Sequence, residues 1–401
     1  MKPQVHQVLA TLGHGDAIGH EVLGINRVLR EAGYESEIFV ETVDERLEHL
    51  TRDYRDLASF SSPGNILIHH FSIGSRASRI AYALPDRMVL VYHNITPPEY
   101  FVDVHPLLVR QCYRGRRELS AYAHRCDLAL GDSEFNRQEL EAMGFPRTAV
   151  LPVVPGFAHL DGAPDRRLVD EFDDEMTNVI FVGRVIPNKR IDNVIRYFHA
   201  YQQLFNARSR LLLVGSYTGF DRYHAMLNQL VSRLGTANVR FLGHVTNAEL
   251  AACYDVADVF LCASEHEGFC VPLVEAFHKG IPVLAYASTA VPATMDGAGV
   301  LYDTRNPAHV AGLIDQMASN RELADQVVDG QDAALRRLMA KDFPRTLLGF
   351  VERVAAAPNE TRRAVTDDFW DQVSAFERFE ELTEFRPALY CALPKAPSRI
   401  V

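Results

Sequence analysis

Short β-branched runs alternate with longer amphipathic stretches along most of this chain, and the alternation occurs twice. In the first half the runs are VHQVLATL from Val5, SEIFVE from Ser36, NILIHHF from Asn65, MVLVYH from Met88, CDLALGD from Cys126 and TAVLPVV from Thr148. A chain that repeatedly leaves a strand through an amphipathic helix and enters another strand builds βαβ units with parallel, two-sided sheets. The intervening HEVLGINRVLREAG sets Val22, Ile25, Val28 and Leu29 on one helical face and ends at Gly33, a suitable helix stop. After the polar stretch GFAHLDGAPDRRLVDEFDDEMT, 156–177, the count restarts. The new runs are NVIFVG from Asn178, RLLLVGS from Arg210, NVRFLG from Asn238, ADVFLCAS from Ala257, IPVLAYA from Ile281 and AGVLYD from Ala298. At 401 residues the chain exceeds the size at which one core stops growing. The expected fold class is α/β, with two doubly wound domains at 1–160 and 178–357 and a linker at 161–177. A tail at 358–401 carries Trp370, Phe376 and Phe379, rings that suit one side of a helix. That helix would cap the second domain or cross back to the first.

Charge narrows the function classes. A formal net charge of -11 disfavours general nucleic-acid binding, which needs a basic face to displace counterions from phosphates. No window approaches eighteen uninterrupted apolar residues, and MKPQVHQVLATLGHG is too weakly apolar for a signal peptide, so a cytoplasmic protein is expected. The six cysteines show no Cys-x-x-Cys pair and no zinc-ligand spacing, which reads as reduced core thiols.

Open α/β sheets bind ligands beyond the carboxyl ends of their strands, so the following loops are where chemistry is sought. After NVIFVG, the segment RVIPNKR puts Arg184 and Lys189 in one strand-to-helix loop. Two cations ahead of a helix N-terminus can hold a pyrophosphate alongside free backbone N–H groups. After VADVFLCAS comes EHEGFCVPLVEA, where Gly268 permits close backbone approach and Pro272 suits a first helical turn. Glu275 would lie about 5 Å into that helix, beside a ribose if phosphate occupies the helix start. Glu267 would face the other side of the phosphates, where a transferred group sits. On spacing alone an ordinary ion pair for Glu267 and an exposed position for Glu275 remain the alternative.

FVGRVIPNKR followed about eighty residues later by SEHEGFCVPLVEA, with LLLVGS and VRFLGHVTNAELAACYDVADVFL between them, resembles the retaining glycosyltransferases of family 4. The resemblance covers nearly all of the second domain. It implies the GT-B fold, two Rossmann-like domains facing a central cleft, with acceptor binding in the first and nucleotide-sugar binding in the second. It also implies that Arg184 and Lys189 bind the donor diphosphate, Glu267 contacts the transferred sugar and Glu275 holds the ribose hydroxyls. Gly183, Gly215 and Val245 would lie near the nucleotide, and the amides of Gly268, Phe269, Cys270 and Val271 would meet phosphates and sugar. Neither a metal nor a cofactor is expected, since cations and helix N-termini can stabilise the departing diphosphate.

The first half resembles the family more loosely. GHGDAIGHE offers Gly15 near the donor and Asp16 as a polar contact, but lacks the family's paired glycines. YHNITPPEYF places His93 where the family has a histidine beside the reacting sugar, and with HHFSIGS it is similar to a bacterial subgroup that builds cell-surface polysaccharides, including lipopolysaccharide. RQCYRGRREL holds Arg110, Arg114, Arg116 and Arg117 within two helical turns. They read as a solvated face, or as a patch for a lipid-linked acceptor and the anionic inner face of a membrane. The expected activity is transfer of a mannose-, rhamnose- or glucose-type hexose from a nucleoside-diphosphate sugar to a hydroxyl of a glycan or lipid-linked acceptor. A catalytically silent nucleotide-sugar-binding subunit is the alternative. An NAD enzyme fits poorly, because GHGDAIG has its third glycine one residue late for the dinucleotide fingerprint.

Overall fold

The computed structural model describes residues 2–13, 15 and 17–358. The expectations for Asp16 and for the aromatic tail beyond 358 fall outside these residues. The first seven strands are β1 (Val5–Leu12), β2 (Ile38–Val43), β3 (Thr51–Asp53), β4 (Ile66–Phe71), β5 (Arg87–Tyr92), β6 (Leu128–Gly131) and β7 (Thr148–Val150). They form one sheet in the order β3-β2-β1-β4-β5-β6-β7, and every pairing is parallel. The next six are β8 (Thr177–Val182), β9 (Ser209–Val214), β10 (Val239–Gly243), β11 (Val259–Cys262), β12 (Val283–Tyr286) and β13 (Val300–Tyr302). Their sheet runs β10-β9-β8-β11-β12-β13, again wholly parallel. Each is a doubly wound, Rossmann-like sheet, as expected. Strand order reverses between β1 and β4 in one sheet and between β8 and β11 in the other, and such switch points open a crevice at the carboxyl edge.

β-Branched and leucine side chains bury both faces of the central strands: all six residues of β4, β5 and β9 are buried. The helix Ala17–Glu31 buries Val22, Ile25, Val28 and Leu29, and the chain turns out of it at Gly33, whose φ of 78° suits glycine. β3 escapes the sequence pattern because Thr-Arg-Asp has no apolar member; it is a three-residue edge strand.

The domain boundaries differ from those expected. Within 161–177, read as a linker, lies the helix Arg166–Phe172, whose first turn is capped by the Asp165 carboxylate accepting from the Leu168 N–H. Leu168 and Phe172, one turn apart, pack with Phe157 and Leu160 into the second core, so this segment is part of that unit. At the other end the second unit stops at Lys341, short of 357. The helix Phe343–Ala356 instead buries Leu347, Phe350, Val351 and Val354 against Val5, Ile66, Val89 and Leu128 of the first core. Return to the first unit thus occurs ahead of the tail. Among the described residues, one unit comprises those up to Glu99, 106–153 and 342–358; the other comprises Tyr100–His105 and Val154–Lys341.

Candidate functional site

In the second unit the loops after β8 and β11 flank the switch point and are tied to each other at three successive residues. The Glu265 N–H donates to the Asn188 carbonyl at 2.9 Å, and the Asn188 Nδ2 donates to the His266 carbonyl at 3.1 Å. Lys189 Nζ then donates to both oxygens of Glu267, at 2.5 and 2.6 Å. The Glu267 N–H is fixed by Thr289 Oγ1 at 2.9 Å. Desolvation alone would lower the Lys189 pKa, but the Glu267 carboxylate overrides it and holds the ammonium above its ordinary value. A charged lysine is therefore kept beside an acid that is 6% exposed, at the carboxyl edge of the sheet.

Beyond Glu267 the chain passes through half-buried Gly268 and Phe269. It reaches Cys270 in the left-handed region (φ 76°, ψ 68°), which starts the helix Val271–His278 with Pro272 in its first turn. No side-chain oxygen caps this helix start. Thr294 Oγ1 donates to the Phe269 carbonyl, pinning the turn from below. Glu275, 7% exposed, has both oxygens engaged: His159 Nε2 lies 2.9 Å from Oε1, and the Tyr254 hydroxyl donates to Oε2 at 2.9 Å. That hydrogen bond raises the His159 pKa.

Arg184 shares the loop of Lys189 but is exposed and sits over the Phe220 ring at 5.6 Å. Gly183 and Gly215 immediately follow β8 and β9, with φ of 148° and 142°. A Cβ on Gly215 would come within 2.0 Å of the Gly183 carbonyl oxygen, so only glycine permits this close approach. Val245 packs half-buried onto the second core just before the Thr246 capping box. The Cys262, Glu267 and Cys270 ligand atoms lie within 4.8 Å of one another, a spacing a metal could use, but the Glu267 charge is already met by Lys189.

In the first unit, Gly15 turns the chain with φ 78° ahead of the helix at Ala17. His93, immediately after β5, has both ring nitrogens bound internally: Nδ1 lies 3.0 Å from Asp132 Oδ2 and Nε2 lies 2.9 Å from His70 Nδ1. Its side chain is only 2% exposed. Glu21 Oε2 lies 3.7 Å from the same Nδ1, and burial followed by the Asp132 charge raises the Glu21 carboxyl to about 8. Burial lowers the His70 pKa well below its ordinary value.

The four arginines do not form one face. Arg110, Arg114, Arg116 and Arg117 lie on the helix Pro106–Tyr122, but Arg116 turns inward to donate to the Ile95 carbonyl at 2.8 Å and to Glu139 at 2.5 Å. The exposed Arg117 stacks over Tyr113. Among the described residues no helix is long and apolar enough to cross a membrane.

Sequence reading missed Asn188, Thr289, His159 and Tyr254. Their contacts with the site span 21 to 116 residues. No local motif marks them.

Residues 166–331 match the glycosyl transferases group 1 family. The O-antigen chain mannosyltransferase B of Escherichia coli is 30% identical over 150 residues, 36% of this chain and 38% of that protein. A D-inositol 3-phosphate glycosyltransferase of Geodermatophilus obscurus is 31% identical over 263 residues, 62% of this chain and 56% of that protein. The matches thus span little more than half of these relatives at most. The Anabaena protein HepE, solved with UDP-glucose, superposes with a TM-score of 0.67 at 16% identity, covering 87% of this chain and 99% of its own. The chain therefore carries a glycosyltransferase group 1 domain, set in the two-sheet GT-B fold.

Proposed function

We propose that the chain is a retaining hexosyltransferase that moves a mannose-, rhamnose- or glucose-type sugar from a nucleoside diphosphate to a hydroxyl of a glycan or lipid-linked acceptor. The observation that carries this reading is the Lys189–Glu267 pair at the switch point, in the loop that leads into the helix holding Glu275 one turn from its start. A diphosphate entering beside an uncapped helix start meets a charged lysine, and Glu267, released from part of that contact, is free to orient the sugar. Glu275 accepts from the ribose hydroxyls, and Arg184 adds a second cation from the same loop. The reaction proceeds by front-face displacement, the leaving phosphate drawing the proton from the acceptor hydroxyl, and no metal is required at the diphosphate. The relatives support the sugar class and the acceptor: one is named for O-antigen mannosyl transfer and one neighbour is solved with UDP-glucose. His93 has its nitrogens committed internally, so we assign it to building the carboxyl edge of the first sheet, not to proton transfer at the sugar. A place on the inner face of the membrane would follow from a lipid-linked acceptor.

The test is hydrolysis of a panel of UDP-, GDP-, ADP- and dTDP-sugars by the purified chain, without added Mg²⁺ or Mn²⁺, with the anomeric configuration of the product determined. Hydrolysis of at least one donor with retention supports the reading. Binding without hydrolysis would instead identify a silent nucleotide-sugar-binding subunit.

A further inference from the structure

The carboxyl end of β11 and the start of the helix that follows it each carry a thiol that the proposed transfer reaction does not use. We infer that Cys262 and Cys270 form a redox-active dithiol, which a peroxide closes to a disulfide that resets the loop between them. Geometry carries the inference. The two sulfurs and a Glu267 oxygen lie within 4.8 Å of one another, although the seven residues Ala263–Phe269 separate the cysteines along the chain. Closing that gap to the bonding distance of about 2.05 Å asks for side-chain rotation and a short backbone shift. The structure shows which side gives way. Cys262 ends β11, pairs with Ala285 of β12 and gives its carbonyl to the Tyr302 hydroxyl at 2.9 Å, so two neighbouring strands hold it. Cys270 is half-buried at the mouth of the turn and sits in the left-handed region at φ 76°, a conformation that strains most residues other than glycine.

The surroundings differ from those of an inert core thiol. Burial pushes the Cys112 and Cys253 thiols up to about 12. The hydrogen bond between Cys262 and Cys270 instead lowers the first thiol and raises the second, so one proton serves both sulfurs. The Lys189 ammonium favours a thiolate at Cys270. In the oxidation one sulfur attacks hydrogen peroxide, the O–O bond breaks, and a sulfenic acid and water form. The other sulfur then attacks the first, the S–O bond breaks, and a second water leaves. Two thiols and one peroxide thus give one disulfide and two waters, each water taking one thiol proton. Drawing Cys270 inward moves the uncapped helix start and the Glu267 carboxylate, and nucleotide affinity falls. That consequence rests on the nucleotide-sugar reading, whereas the dithiol does not.

The test is peptide mapping of the wild-type full chain under non-reducing conditions, after stoichiometric hydrogen peroxide and alkylation of the remaining thiols. A linked Cys262–Cys270 peptide is expected, lost again on treatment with dithiothreitol. Amide hydrogen exchange at Gly268–Val271 should change with it, and calorimetry with UDP and GDP should show binding about 5- to 150-fold weaker in the oxidised chain, restored by dithiothreitol. In Cys262→Ser the exchange and the affinity should be the same before and after peroxide. Oxidation of Cys270 to sulfinic or sulfonic acid without a link, or links to other cysteines only, overturns the inference. A linked peptide with unchanged exchange at Gly268–Val271 overturns the resetting of the loop. A reduced chain that binds neither nucleotide counts against the nucleotide-sugar reading, while the linked peptide and the exchange still decide the dithiol.

Discussion

Lys189→Met severs the pair in the second unit from one side. It leaves the Glu267 carboxylate, 6% exposed, in a loop built around an ammonium at 2.5 and 2.6 Å. Breaking a buried ion pair by removing one partner costs about 3–5 kcal/mol, mostly the penalty of the stranded charge. For a domain of 150–250 residues each kcal/mol moves the melting point by about 2–4 °C, so a fall of roughly 6–20 °C is expected. Adding Glu267→Gln removes the stranded charge, and the double variant Lys189→Met/Glu267→Gln should recover most of the loss. The assay is differential scanning calorimetry of all four members of the cycle, followed through the same transition. Losses that add within about 0.5 kcal/mol, or a Lys189→Met chain that melts within about 2 °C of wild type, would refute the claim that these charges are coupled. Activity tells the two roles apart: Lys189→Met and the double variant should both fail at donor cleavage even though the double variant is stable.

Glu275→Gln should mainly raise the donor KM, since a ribose is held alike before and during reaction, whereas Glu267→Gln should fall mainly on kcat. A hydrogen bond to a charged group is worth about 1.5–3 kcal/mol, or roughly a 10- to 150-fold loss in each case; steady-state kinetics at wild-type values for both would show the acids to be structural. The Glu275 hydrogen bond raises the His159 pKa above its unfolded value of about 6.5. Its stabilisation is therefore full below that pH and lost as pH rises through the folded value, so the melting advantage of wild type over His159→Gln should shrink on the alkaline side; a constant gap would contradict the pairing. Replacing Arg110, Arg114 and Arg117 by Gln should weaken sedimentation with anionic liposomes by about 1 kcal/mol per residue, and unchanged sedimentation would return them to a solvated face. Arg116→Gln should instead lower the melting point, because Glu139 would lose a partner that is 12% exposed.

Strands were legible wherever a β-branched run stood between polar breaks, which is why twelve of the runs quoted from the sequence coincide with strands and Thr51–Asp53 was not seen. The helix Arg166–Phe172 was hidden by the turn residues of DGAPD, although Asp165 as cap and the Leu168–Phe172 spacing were available as signals. The face of the helix Phe343–Ala356 is plain in Leu347, Phe350, Val351 and Val354, but an apolar stripe does not say which of two cores it meets. Arg116 could have been set apart from its neighbours, since it lies one turn from buried Cys112 and from buried Leu119. At the site, the sequence marks the two loops, because cations ahead of a helix and acids around a glycine are local patterns. It is silent on His159 beneath Glu275 and on His70 behind His93. Those pairings depend on register between elements far apart in the chain.

The helix Phe343–Ala356 makes the first unit a discontinuous one: the chain leaves it near Val153 and completes it only after Lys341. A fragment ending at 153 would expose the apolar surface that Leu347, Phe350, Val351 and Val354 cover, and should aggregate when expressed alone. The reverse holds for the other half. Apart from Tyr100–His105, it is a single uninterrupted stretch from Val154 to Lys341, in effect a cassette inserted into a host. Recombination between genes of this architecture can therefore exchange the group 1 domain in one event, provided the host keeps its final helix. A change of donor need not rebuild the first sheet.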